Sequence, residues 1–148
     1  MRQHIIAGLL GVLGGIVPAC ASNSQYTVRG TERSVGIDGV ITIAPKSEDV
    51  NLVSVELVNL PPPERHDPTK RSFVVWLTPT DAEPIRAGRL AYDRESRVGL
   101  LEATTPNDQV FVQVTAEEDS AAEAPSDLVV ISKHVVLKRP GQTDLTAR

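Results

Sequence analysis

Phe73-Val74-Val75-Trp76-Leu77 is apolar at every position, and it constrains the fold more than any other stretch of the chain. In a strand, successive side chains point to opposite faces. Phe73, Val75 and Leu77 therefore occupy one face, and Val74 and Trp76 the other. Both faces need cover, which predicts a central strand of a sheet packed on two sides. In this reading Trp76 packs into the interior and is not a platform for a ligand.

The rest of the body is built from similar short runs. Gln109–Glu117 alternates, with Val110, Val112 and Val114 on one side and Phe111, Gln113 and Thr115 on the other. Val53, Val55 and Leu57 share a face against Ser54 and Glu56. Val35–Pro45 contains Asp38-Gly39 between aliphatics, which reads either as a two-residue hairpin or as one long strand bent at Gly39. Ala87–Asp93 and Arg97–Ala103 read as weaker strands around an Asp93–Ser96 turn. Leu128–Lys138 reads as the last strand, with a bulge near Ser132–His134 to keep Lys133 out of the line of Val129, Ile131, Val135 and Leu137. No segment sustains a helical period. Pro61-Pro62-Pro63 reads as an extended connector that is neither helix nor central strand, continued as a loop through His66 to Lys70. The expectation is an all-β fold: an antiparallel, immunoglobulin-like Greek-key sandwich of about seven or eight strands.

The amino-terminal segment follows different rules. Arg2 precedes an uncharged run, Ile5–Val17, closed by Pro18, Ala19 and Cys20. About thirteen residues at ~1.5 Å each reach only about 20 Å, short of a ~30 Å hydrocarbon core. Gly8, Gly11, Gly14 and Gly15 also disfavour a packed helix. A positive start, an apolar middle and small residues at the cut describe a secretory signal peptide. Cys20 is the only cysteine of the chain, so it has no internal disulfide partner and is free, intermolecular or modified.

Val17-Pro18-Ala19-Cys20 resembles the bacterial lipobox, with an aliphatic residue at −3 and a small one at −1; Pro18 at −2 departs from the usual pattern. The resemblance implies a diacylglyceryl thioether on Cys20, cleavage before it, and acylation of the new amine. More than one acyl chain, at ~0.8 kcal/mol per buried CH₂, makes a firm anchor. The competing reading is an ordinary secreted protein cut near Ala19 or Ala21. Ala21 in place of Asp favours the outer membrane, facing the periplasm. The expected organisation is a lipoprotein signal peptide over 1–19, the lipidated Cys20 and a short tether over 20–25, a sandwich over 26–138 and a disordered polar tail over 139–148.

A second resemblance covers Leu60 to His134, about half of the chain. Leu60-Pro61-Pro62, Val75-Trp76-Leu77, Ala87-Gly88-Arg89-Leu90, Val114-Thr115-Ala116-Glu117, Pro125 and Val129-Val130 are similar to pieces of the extracytoplasmic C-terminal domain of anti-sigma-K factors. Members of that family carry a sigma-binding segment and a membrane span ahead of this domain, and neither is recognisable here. The resemblance therefore implies a β-sandwich sensor or scaffold module, without sigma-binding activity.

Composition narrows the functions. Losing Arg2 leaves fourteen basic against nineteen acidic residues over the 129 residues from Cys20 to Arg148, a net charge of −5. An acidic balance argues against nucleic acid and against electrostatic attraction to anionic lipid. Aromatic residues are 3%, too few for base-stacking platforms.

Candidate chemistry is sparse. His4 leaves with the signal peptide, and His66 and His134 lie in separate segments. A zinc site from His66, His134 and Asp67 lacks close ligand spacing. Glu117, Asp119, Glu123 and Asp127 sit in an acidic loop, Glu117–Asp127, that lacks the order of a dedicated calcium loop and reads as solubilising. No serine lies in a nucleophile elbow. The expected protein is a non-enzymatic, cofactor-free interaction or structural module. Its partners are the lipid bilayer, through acylated Cys20, and an envelope protein. The alternative is an envelope hydrolase with a site dispersed over loops.

Overall fold

The computed structural model describes residues 22–138. The expected signal peptide, with Val17, Ala19 and Cys20, and the tail from residue 139 all lie outside them. Nine strands make up the described chain: β1 Ser24–Arg29, β2 Asp38–Ser47, β3 Val50–Val58, β4 Ser72–Pro79, β5 Ile85–Arg89, β6 Ala91–Asp93, β7 Val98–Thr105, β8 Gln109–Glu117 and β9 Val129–Val136. One sheet has the order β1-β2-β3-β7-β6 and the other β5-β4-β8-β9, with every pairing antiparallel. The pair β2-β3-β7-β6 and β5-β4-β8-β9 has immunoglobulin-type connectivity, to which β1 adds an outer strand. The interior is filled from both sheets by alternating residues, among them Ile41, Ile43, Val53, Val55, Leu57, Phe73, Val75, Leu77, Val112 and Val114. The faces assigned from alternation in β3, β4 and β8 are the faces observed.

Several local expectations are corrected. Ser24 and Gln25 belong to β1 and not to a tether; Tyr26 ties that strand to the opposite sheet by donating its hydroxyl to the Val136 carbonyl at 2.7 Å. Asp38-Gly39 is not a hairpin turn but the start of β2. Gly39 is required there by close approach, because a Cβ would lie 2.4 Å from the Glu56 carbonyl oxygen. Ala87–Asp93 is two strands. Beyond β5 the chain passes Leu90, which is buried, and changes sheets to form β6. The bulge in β9 lies upstream of Ser132, where pairing jumps from Val114–Ile131 to Thr115–Val129. Alternation then resumes, and Lys133 is exposed between buried Ile131 and Val135 because β9 is a sheet edge open to water. Pro63 does enter a helix. It opens the single turn α1, Pro63–His66, where its missing N–H goes unneeded.

The outer face of β4 has its own packing. Val74 and Trp76 are fully buried yet stand outside the inter-sheet core. Their neighbours on that face of β8, Thr115 and Glu117, are buried as well. The indole N–H of Trp76 donates to Thr115 Oγ1 at 2.8 Å, and the Thr115 hydroxyl donates to Glu117 Oε1. The same carboxylate oxygen accepts the Ser126 N–H at 2.8 Å. Arg86 on β5 donates to the Ser120 carbonyl at 2.7 Å, and Ser126 Oγ donates to the Ala116 carbonyl at 3.0 Å. Residues 118–127 are thus pinned on both sides and lie over Trp76. The acidic loop is a lid on a second apolar layer; its first carboxylate, Glu117, points inward, whereas Glu118, Asp119, Glu123 and Asp127 are exposed, as expected of a solvated run.

Trp76→Ala is expected to cost ~3–5 kcal/mol, as for other large core truncations. Glu117→Ala, which leaves a buried hydroxyl and N–H without their acceptor, should cost about 1–3 kcal/mol. In the Glu117 variant tryptophan emission should shift to the red, because the lid loses its inner pin. Denaturant melts and native-state fluorescence check both; a wild-type melt with blue emission in Glu117→Ala would disprove the lid.

Candidate binding site

The two ends of the sandwich differ in chemistry. At one end Ser22 Oγ donates to the Lys138 carbonyl at 3.0 Å, and the Lys138 N–H donates to Ser24 Oγ at 2.7 Å. The register of β1–β2, β2–β3, β4–β8 and β8–β9 brings the turns after β2, β4 and β7 to this Ser22 end. Those turns carry Glu48, Asp49, Asp81, Glu83 and Asp108. At the opposite end lie the β1–β2 connection, the 59–71 connector, the β6–β7 turn and the 118–127 lid. These segments carry Arg33, Arg65, Lys70, Arg71, Arg94 and Arg97 together with Glu32, Glu64, Asp67, Glu95, Glu118, Asp119, Glu123 and Asp127.

At this arginine end a concavity of about 380 Å³ is lined by Arg33, Ser34, Val35, Pro61, Pro62, Arg65, His66 and Arg97. Three separate pieces of chain form it, and each is fixed locally. The 3₁₀ turn Glu32–Ser34 is held by Thr31, whose N–H and hydroxyl donate to the carbonyls of Val130 at 2.9 Å and Val129 at 2.7 Å. Pro61 and Pro62 stiffen the wall, and the Pro62 carbonyl accepts the Arg65 N–H at 2.9 Å. Arg97 closes the β6–β7 turn with φ 57°, a left-handed conformation uncommon for a side chain of this kind. Asp93 Oδ1 shapes that turn by accepting the N–H groups of Glu95 at 2.8 Å and Ser96 at 3.1 Å. Leu60 joins two of the pieces: its N–H donates to the Arg97 carbonyl at 3.0 Å and its carbonyl accepts the Tyr92 hydroxyl at 2.8 Å.

The lining holds three guanidinium groups and no carboxylate. Arg33 meets Asp127 at 3.6 Å, a solvent-exposed pair of little energetic weight. Among the described residues, Arg65 and Arg97 have no ion pair. A neighbouring concavity of about 480 Å³ also carries arginines, but two are engaged: Arg94 pairs with Glu64, and Arg71 donates to the carbonyls of Pro68 and Lys70. The hydrogen bond and charge of Arg94 hold the exposed Glu64 carboxyl below its usual range.

His66 is half-buried, with its ring edge-on to Phe73 at a centroid distance of 5.9 Å. Its Nδ1 lies 3.4 Å from Ser34 Oγ, while Nε2 is sealed from solvent without a partner among the described residues. Burial lowers its pKa below the ordinary 6.5, partly offset by a backbone contact from Arg33. Ser34 and His66 have the composition of a nucleophile–base pair but not its geometry. Ser34 is only 3% exposed, and no carboxylate orients the second ring nitrogen.

The residues weighed from sequence are scattered. His134 is exposed on β9 opposite Phe111, on the edge of the second sheet. Asp67 Oδ1 is taken by the Thr69 N–H and hydroxyl, and Asp119 Oδ1 by the Ala121 N–H. Among the described residues no three His, Cys, Asp or Glu side chains converge as metal ligands. The arginine cluster has no local signature, because its members come together only through the fold. No protein-family model, curated protein or solved structure matches the chain.

The lowered pKa of His66 sets a pH dependence. Above about pH 6.5 the ring is neutral both folded and unfolded, and its contribution is level. As pH falls through the lowered folded value, the unfolded chain binds the proton first and stability declines. Glu64, Asp67 and Asp93, whose pKa values lie below their ordinary 4.5, 3.8 and 3.8, produce their losses only at lower pH. The melting temperature should therefore fall between about pH 7 and about pH 5, and His66→Gln should flatten that fall. An unchanged slope in His66→Gln would contradict the assignment.

Proposed function

We propose that this chain is a lipid-anchored, non-enzymatic β-sandwich module of the bacterial envelope, held through acylated Cys20 at the outer membrane and facing the periplasm. The observation that carries the reading is the Val17-Pro18-Ala19-Cys20 boundary, which stands immediately ahead of the folded domain. Ser22 is already hydrogen-bonded to Lys138, so Cys20 lies about 7 Å or less from the sandwich along the chain. An anchor there would turn the Ser22 end toward the bilayer and the end carrying Arg65 and Arg97 toward the compartment. The sandwich fits the sensor or scaffold role implied by the likeness to anti-sigma-K extracytoplasmic domains. Binding suits the molecule better than catalysis, because the described concavities lie open at the surface and the nearest Ser–His approach lacks an orienting acid.

The mature amino terminus should be Cys20 bearing a diacylglyceryl thioether. Cys20→Ser should remain unprocessed or become soluble. Intact-protein and peptide mass spectrometry decide the matter: a free Cys20 thiol, or a cut elsewhere, refutes the anchor.

A further inference from the structure

We infer that the concavity between Arg33, Arg65 and Arg97 binds a phosphate-class oxyanion carried on a ligand larger than the bare ion. The inference goes beyond the anchored-module reading and stands whether or not Cys20 carries lipid.

Charge is the first argument. The whole chain has a net charge of −4, yet this lining brings three arginines together with no acidic residue among them. Arg33 meets only the exposed Asp127, and Arg65 and Arg97 have no ion pair among the described residues, so the like charges repel and a bound anion relieves that cost. A carboxylate has two oxygens and one charge, which a single guanidinium fork satisfies. Three forks match the several terminal oxygens and higher charge of a phosphate group. Preorganisation is the second argument. The turn of Arg33 is tied to β9, Arg65 follows a proline wall, and Arg97 is held in a left-handed conformation by the clamped β6–β7 turn.

Size is the third argument. The volume, about 380 Å³, is that of a small-molecule site. A water's share of the liquid is about 30 Å³ and a phosphate group takes a few times that, so room remains for the moiety bearing it. A soluble phosphoester and a phosphate headgroup share this chemistry.

The full chain, purified in neutral detergent, is titrated with inorganic pyrophosphate by calorimetry. It is also sedimented with phosphatidylcholine vesicles made with and without phosphatidic acid; the difference between the two cancels any contribution of an anchor. Saturable binding of pyrophosphate, weakened about tenfold or more by Arg65→Gln and by Arg97→Gly but little by Arg71→Gln, is expected for a soluble ligand. Arg97→Gly also relieves the left-handed strain, so its loss of binding is not a loss of folding. A phosphatidic-acid-dependent increase in sedimentation with the same variant pattern supports a headgroup. The inference is overturned if neither probe binds, or if Arg71→Gln weakens binding as much as Arg65→Gln does.

Discussion

Burying Val74 and Trp76 on the outward face of β4 is the constraint from which much of the remaining architecture follows. A sandwich supplies one covered face per sheet, and the second face of β4 must be closed by something else. The chain closes it with residues 118–127, drawn back across β8 by Glu117 and across β5 by Arg86. A carboxylate is costly to bury unless donors surround it, and here Thr115 and Ser126 supply them. With Glu117 committed inward, the exposed acids of the lid stay at its surface. One of them, Asp127, reaches Arg33, which links the cover of the second apolar layer to the rim of the basic concavity.

The gathering of arginines at one end has the same architectural origin. Antiparallel strands return every connection to one end or the other. At the Ser22 end the turns are short and carry acids without arginines, whereas at the other end the 59–71 connector and the β6–β7 turn meet at Leu60. Its two backbone hydrogen bonds reach Arg97 and Tyr92, and its side chain packs beside Gly99 and Leu90, so one buried residue fixes the segments of Arg65 and Arg97 relative to each other. A basic site can therefore stand on an acidic protein without any basic run in the sequence.

Strand faces were legible in the sequence wherever period-two alternation reached the core, as in β3, β4 and β8. The need for cover over Val74 and Trp76 was legible too, but the identity of the cover was not. A loop of Glu, Asp, Ser and Ala has the composition of a solvated segment, and only the pairing of Glu117 with Thr115 and Ser126 reveals its role. Strand β1 escaped because Ser24-Gln25-Tyr26-Thr27 has little apolar content; it is held by pairing with β2 and by the Tyr26 hydroxyl. The sheet change at Leu90 escaped because local pattern does not record which sheet a strand joins. The arginine site escaped for the most general reason: Arg33, Arg65 and Arg97 are far apart in the chain and become neighbours only through tertiary structure.

The hydrogen bonds between Ser22, Ser24 and Lys138 have a mechanical consequence. They set the amino-terminal end of β1 at one pole of the sandwich, with the strand axes running from that pole to the arginine pole. Tension between an attachment ahead of Ser22 and a load held at the arginine pole pulls β1 lengthwise against β2. The six paired positions from Ser24–Ile43 to Arg29–Asp38 then share the force in shear, instead of opening one after another as in unzipping. The same strand is stitched crosswise to Val136 of the other sheet by Tyr26, so slippage of β1 must break that stitch as well. The molecule is thus braced along its strand direction and is most easily peeled from the side.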